Sequence, residues 1–172
     1  MTCGFLDIAQ TAGYHYRISS HLHHLPVLWK KPEHPQLKLN IDGAFYQQNN
    51  AAGRGGVLRT SQGDVIWAYA GPLHNCNSPL KAECLALETT LKFLINWQIP
   101  HLIIETDSST LCNVISKKSK GHWTVKDSLV SISNSLSSVS YSIQHVYREG
   151  NCAADRLAQK DCIFLMWLAV DL

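Results

Sequence analysis

The chain has 172 residues, 45% of them hydrophobic and 16% charged, with a mean hydropathy near zero; this is one domain's length with material for a core, and it excludes a disordered chain. A formal charge of +2 and an isoelectric point near 8.2 are compatible with a phosphate-bearing partner without requiring one. The six cysteines form no C-x-x-C pair or zinc-type spacing, and the longest apolar run, CIFLMWLAV (162–170), is too short to span a bilayer, so no membrane partner is expected.

No signal peptide opens the sequence, so the expectation is an intracellular protein, nuclear or cytoplasmic and not secreted, with reduced thiols. Residues 1–35 read as a linker or a polyprotein remnant. His21, His23 and His24 in HLHHL have no carboxylate or cysteine close by to complete a metal set, so a polar linker is the better reading. WKKPEHPQ (29–36), with two prolines, reads as an extended lead-in. A domain over 36–165 and a tail over 166–172 follow.

LKLNIDGAFY alternates, Leu37, Leu39 and Ile41 on one face and Lys38, Asn40 and Asp42 on the other. RGGVLRT and DVIWAYA are β-prone and joined by SQGD, where Gly63 is available for positive φ. Three antiparallel strands in series are therefore predicted. In NSPLKAECLALETTLKFLINW, Ser78 caps a helix with Pro79 at its first position, and Leu80, Cys84, Leu87, Leu91 and Leu94 form a core stripe. Glu83 falls at the edge of that stripe, in what reads as the first turn near the positive dipole end. PHLIIETDSS is a short apolar strand ending at Asp107, with Ser108 and Ser109 as capping candidates for a short helix, TLCNVIS. TVKDSLVSISNSLSSVS keeps Val125, Leu129, Ile132, Leu136 and Val139 at helical spacing despite its many serines. YSIQHVYRE reads as a strand, and GN turns into a last helix holding Asp155. The order is three strands, helix, strand, two helices, strand, helix.

Four acids stand out: Asp42 inside a strand, Glu83 on a core-facing helix edge, Asp107 at a strand's carboxyl end and Asp155 in a helix's first turn. Each has an ordinary explanation. Asp42 could be solvated on an edge strand, Asp107 could cap the next helix, and Glu83 and Asp155 could match helix dipoles. Together they describe a carboxylate cluster, which is costly unless divalent cations neutralise it. An all-oxygen set suits Mg²⁺ or Mn²⁺. Two such ions about 4 Å apart clamp a phosphodiester, one activating water and the other stabilising the leaving oxygen.

KLNIDGAF, GRGGVLRTSQGDVIWAYAGPL, SPLKAECLALETTL, LIIETDSSTLCNVI and HVYREGNCAADRLAQ together resemble the type 1 ribonuclease H domain, in the version found in plant non-LTR retroelement polyproteins and plant proteins derived from them. The resemblance covers roughly residues 29 to 162. It implies an α/β fold with a mixed five-stranded sheet, three antiparallel strands and then parallel additions, flanked by helices. It also implies cleavage of the RNA strand of RNA–DNA hybrids with two Mg²⁺ or Mn²⁺ ions, without a covalent intermediate, leaving 5′-phosphate and 3′-hydroxyl ends. By the family's pattern the metal-binding acids fall on Asp42, Glu83, Asp107 and Asp155. The loop histidine that helps product release or shuttles a proton falls on His145, and the asparagine opening the final helix falls on Asn151.

A hybrid would be read by shape and by its 2′-hydroxyls in the shallow groove. Gly43, Gly55 and Gly56 would let backbone approach a sugar-phosphate chain, or serve as turn and bulge glycines. Asn77 and Ser78 could donate to a phosphate from a helix N-terminus; Arg148 is either a phosphate contact or a solvated loop residue. No long basic, tryptophan-rich protrusion separates Asp107 from His145, only Lys117, Lys118, Lys120 and Trp123. Hybrid affinity would then be low or come from an attached domain. The expected protein is a monomeric nuclease whose partners are an RNA–DNA hybrid and an upstream reverse transcriptase domain in a parent polyprotein. A non-catalytic nucleic-acid-binding module and a related nuclease or transposase acting on DNA are the alternatives.

Overall fold

The computed structural model describes residues 27–159 and, as backbone, 164–167. The HLHHL stretch and the rest of 1–26 lie outside the described residues, as does the end of the tail. Strand β1 (Leu37–Tyr46) lies inside a sheet in which it pairs antiparallel with β2 (Ala51–Arg59) and parallel with β4 (Leu102–Thr106). Strand β3 (Val65–Pro72) continues the antiparallel side, and β5 (Tyr141–His145) the parallel side. The three antiparallel strands and two parallel additions are the mixed five-stranded sheet anticipated from the sequence. Gly63, at φ +94, closes the turn before β3 with its N–H bonded to Thr60, the role its lack of a Cβ allows.

A sixth strand, β6 (Phe164–Trp167), pairs antiparallel with β3, giving the order β5-β4-β1-β2-β3-β6. Half of it lies in the segment read as a tail. Its backbone covers the edge of β3, which would otherwise leave a row of N–H and C=O groups unpaired.

Helix α1 (Pro79–Leu94) is capped as expected, the Ser78 hydroxyl accepting from the Lys81 N–H. Cys84, Leu87, Leu91 and Leu94 are buried against Leu37, Leu39, Ile41, Trp67 and Ile104 from the sheet. Helix α2 (Ser109–Ile115) follows β4, and α3 (Lys126–Leu136) adds Val125, Ile132 and Leu136 to the same core. Helix α3 stops short of the predicted Ser140 because the Ser137 and Ser138 hydroxyls turn back onto the carbonyls of Asn134 and Ser135, the competition that makes serine a poor helix interior residue. Strand β5 also ends early, at His145, and Arg148–Gly150 form a 3₁₀ turn leading into α4 (Cys152–Ala158).

Helix α4 packs on the opposite face of the sheet, where Leu157 and Ala153 meet Val57, Val65 and Ala68. The strand residues Lys38, Asn40 and Asp42, which alternate with the apolar ones, are 3%, 1% and 6% exposed. That face is roofed by α4 and by the segment before β1. Trp29 lies over both Lys38 and Arg59, 5.4 Å and 5.0 Å from ring centroid to cation. The proline-rich lead-in is therefore packed on the sheet. Beneath it, Lys38 pairs with Glu105 at 2.7 Å, both nearly fully buried, and Glu105 also accepts from Asn40 and Gln144. Charges taken this far from water require such pairing.

Candidate metal centre

Three carboxylates meet where β1, β4 and α1 converge. One oxygen from each of Asp42, Glu83 and Asp107 lies within 4.8 Å of the others. Strand β1 delivers Asp42 from its buried centre, and β4, paired in parallel with it, ends so that Asp107 emerges beside it. The capping duty that would explain Asp107 in the ordinary way belongs to Ser108, whose hydroxyl accepts from the Leu111 N–H. Asp107 is thereby left to the cluster.

Glu83 is the fifth residue of α1, and the first turn holds no acid. The expectation of a dipole-matched first-turn position is corrected: its location follows from how α1 docks on β1. A Cβ on Gly43 would run into the backbone of Ala82 and Glu83, so glycine is what permits this approach. Gly43 and the equally crowded Gly55, which faces Ala158 and Leu157, let helices pack directly on the sheet. Gly56 is likewise filled by the Tyr69 ring and Thr90.

The electrostatics are those of a cluster short of positive charge. Burial first, then the charges of Asp107 and Asp155, push the Asp42 carboxyl from 3.8 up to about 8, against a smaller pull from Arg148. Burial, then Asp42 and Asp107, hold Glu83 well above the ordinary carboxylate range, opposed by the Thr106 hydroxyl and the Gly43 N–H. The Thr106 hydroxyl bond to Glu83 is 3.4 Å, and the same oxygen accepts from the Ser108 N–H at 3.0 Å. Thr106 is fully buried and was not singled out in the sequence; as an apolar-strand residue it gave no periodic signal.

Asp155 sits in the first turn of α4, as expected, and its charge reaches Asp42. Its carboxylate is engaged by Arg148, whose Nε donates at 3.0 Å, and by Gln159 at 2.7 Å. Arg148 is thus tied to the rim, and that carboxylate lifts its guanidinium above its usual range. His145 is exposed at the mouth, its Nε2 3.2 Å from the Asp107 backbone carbonyl.

Asn151 is 1% exposed. It donates to the Ile41 carbonyl at 2.9 Å and, in a long bond of 3.4 Å, to Asp107 Oδ1, and it accepts from Asn40. With its polar atoms bonded to Ile41, Asp107 and Asn40, it supports the site from within the fold. Asn77 is exposed ahead of the α1 cap and Ser78 half-buried. The polar residues Asn40, Arg59 and Glu105 beneath the site were legible only as the second face of an alternating strand and its neighbours.

The donor set fits a hard divalent cation: three carboxylates with no nitrogen or sulfur ligand in the group, and two of them buried without an equal countercharge.

The sequence matches the family described as reverse transcriptase-like over residues 40–161. It is 28% identical over 137 residues to an Arabidopsis thaliana protein carrying the name of a ribonuclease H protein; the match takes in 76% of this chain and 21% of that protein, so the chain spans about a fifth of its relative's length. Among solved structures, ribonuclease H1 from the halophilic archaeon Halobacterium salinarum superposes with a TM-score of 0.66 at 22% identity, covering 72% of this chain and 94% of that one. A ribonuclease H1 isolated from compost, solved in complex with an RNA/DNA hybrid, gives 0.65 at 19% identity, covering 73% and 96%. The fold with its convergent acids and the match across most of the chain lead to one conclusion: the chain belongs to the reverse transcriptase-like family and is folded as a ribonuclease H domain.

Proposed function

We propose that the chain is a type 1 ribonuclease H, a divalent-metal-dependent endonuclease that hydrolyses the RNA strand of RNA–DNA hybrids. The observation that carries this reading is the meeting of Asp42, Glu83 and Asp107 at one point between β1, α1 and β4, with Asp42 raised to about 8 by burial and by its neighbours' charge. A buried, self-repelling carboxylate set costs stability, and a cation repays it. Asp42, Glu83 and Asp107 would hold Mg²⁺ or Mn²⁺, with Asp155 completing the set on release from Arg148. Two ions bound there would supply Lewis-acid activation of water and charge neutralisation at the scissile phosphate.

The chain's own groups do the rest. Buried Thr106 and the Gly43 N–H hold Glu83. Arg148, long and exposed beside Asp155, is placed to meet a phosphate at the rim. Exposed His145, next to the Asp107 carbonyl, is placed to move a proton at the mouth. Asn77 and the Ser78 hydroxyl, at the start of α1, offer donors to the hybrid backbone. The hybrid held by the compost relative supports this substrate class. The family's description and the greater length of the Arabidopsis relative, of which the match takes in 21%, support a reverse transcriptase neighbour in a parent polyprotein.

The test is cleavage of an end-labelled RNA–DNA hybrid by the purified chain with Mg²⁺, with Mn²⁺ and with chelator, beside Asp42→Asn. RNA-strand cutting that requires metal and is lost in the variant supports the enzyme. Hybrid binding without cutting by folded protein replaces it with a binding module.

A further inference from the structure

A chain of side-chain hydrogen bonds runs from Trp29, ahead of the span that matches the family, to the carboxylate cluster. Its hub is Asn40, 1% exposed. The Asn40 Oδ1 accepts from Trp29 Nε1 at 3.0 Å and from the Arg59 guanidinium at 3.3 Å, while its Nδ2 donates to Glu105 at 2.8 Å and to Asn151 Oδ1 at 3.2 Å. Both donors and both acceptors of the amide are used. An indole N–H and a guanidinium can only donate, and an ionised carboxylate can only accept, so the chemistry of the neighbours settles which way this amide points.

The same constraint passes to the next residue. Because Asn40 presents an N–H to it, Asn151 must turn its oxygen towards Asn40. Its NH₂ is then left for the Ile41 carbonyl and Asp107 Oδ1. We propose that Asn40, with its amide fixed by Trp29 and Arg59, is a positioning residue for the cation site: it sets the orientation of Asn151, which holds Asp107 beside Asp42. The inference rests on Asp42, Glu83 and Asp107 being a divalent-cation site. It makes the lead-in segment, through Trp29, a working part of that site.

Asn40→Asp separates this role from simple packing. The new side chain has the same shape and keeps the bonds from Trp29 and Arg59. It adds one negative charge to a buried group holding the cations Lys38 and Arg59, but its second oxygen also faces the Glu105 carboxylate that Asn40 now bonds at 2.8 Å, so some loss of stability is expected. Its carboxylate, however, turns two acceptors towards each other at Asn151. That amide must flip, and its oxygen then faces Asp107. Trp29→Phe is the second variant: it keeps a ring over Lys38 and Arg59 but lacks the indole N–H.

The experiment is calorimetric titration of the full chain with Mn²⁺, wild type beside both variants, with thermal melts in chelator as the control for folding. The expected result is a loss of Mn²⁺ affinity of roughly 10–100-fold in Asn40→Asp, the usual effect of disturbing a group behind a metal ligand. The variant still melts cooperatively, at a lower temperature, and Trp29→Phe, with its melt retained, shows a smaller loss in the same direction. Unchanged or tighter binding by Asn40→Asp overturns the proposal, since an added negative charge acting alone would tighten cation binding. Should Asn40→Asp fail to fold, unchanged affinity in folded Trp29→Phe overturns it equally. If the wild type binds no Mn²⁺, the cation-site reading falls and takes the inference with it; if the wild type binds and the variants match it, only the inference falls.

Discussion

The backbone N–H of Gly43 donates to the Glu83 carboxylate, and the backbone of Glu83 occupies the space that a side chain on Gly43 would need. One residue after Asp42, the sheet and helix α1 touch without an intervening side chain, and this contact brings two acids from distant parts of the sequence together. Gly43→Ala must push α1 away from β1. The expected cost is about 1–3 kcal/mol, as for other overpacked sites, measured by urea unfolding, together with weaker Mn²⁺ binding. A variant as stable as the wild type would show that the helix can shift freely.

The raised carboxyl of Asp42 gives a pH dependence with a definite sign. Its folded value of about 8 lies above the ordinary 3.8, so the native state binds the extra proton. The stabilisation is complete below about 4 and is lost as pH rises through about 8; Glu83 is shifted in the same direction. In chelator the protein should unfold at lower urea concentration at pH 8 than at pH 5. Adding Mg²⁺ should reverse the difference, and Asp42→Asn should stabilise the chelated protein at pH 8 by about 1–3 kcal/mol, the scale of relieving an unsatisfied buried group.

Lys38 and Glu105 form a nearly fully buried ion pair. Lys38→Met alone leaves Glu105 without its ammonium partner and should cost about 3–5 kcal/mol. The double change Lys38→Met with Glu105→Leu should cost much less than the two single changes added together, as a double-mutant cycle by urea unfolding would read. Simple addition of the two costs would mean that the pair is not coupled.

Arg148 competes with a cation for the Asp155 carboxylate. Because the arginine is largely exposed, Arg148→Ala should change stability by less than about 1 kcal/mol. The Mn²⁺ concentration for half-saturation should fall at low salt, and the difference should shrink as salt screens the pair. An unchanged Mn²⁺ titration would show that Asp155 stays outside the cation site.

The elements with a strong local signal were readable from the sequence: the Ser78–Pro79 helix start, the Gly63 turn and the heptad-like burial of α1 and α3. The acids were readable as a set because each sits where its element type resists it. Asp107 could be separated from an ordinary cap only by the structure, which gives that duty to Ser108. What the sequence hid depends on the second face of the sheet. Lys38 and Asn40 alternate with Leu37 and Leu39 just as a solvated face would, and only the roof made by Trp29 and α4 buries them. Asn151 was readable only as the residue that opens the last helix. That the run around Phe164 forms a strand could not be read either, because the edge of β3 it pairs with is a property of the assembled sheet.

The most direct test of the central claim is crystallographic: crystals of the chain soaked in Mn²⁺, with the ions located by anomalous scattering. The expected result is a peak coordinated by Asp42, Glu83 and Asp107 that disappears in Asp42→Asn. Mn²⁺ bound only elsewhere, or no peak at these three carboxylates in fully soaked crystals, would contradict it.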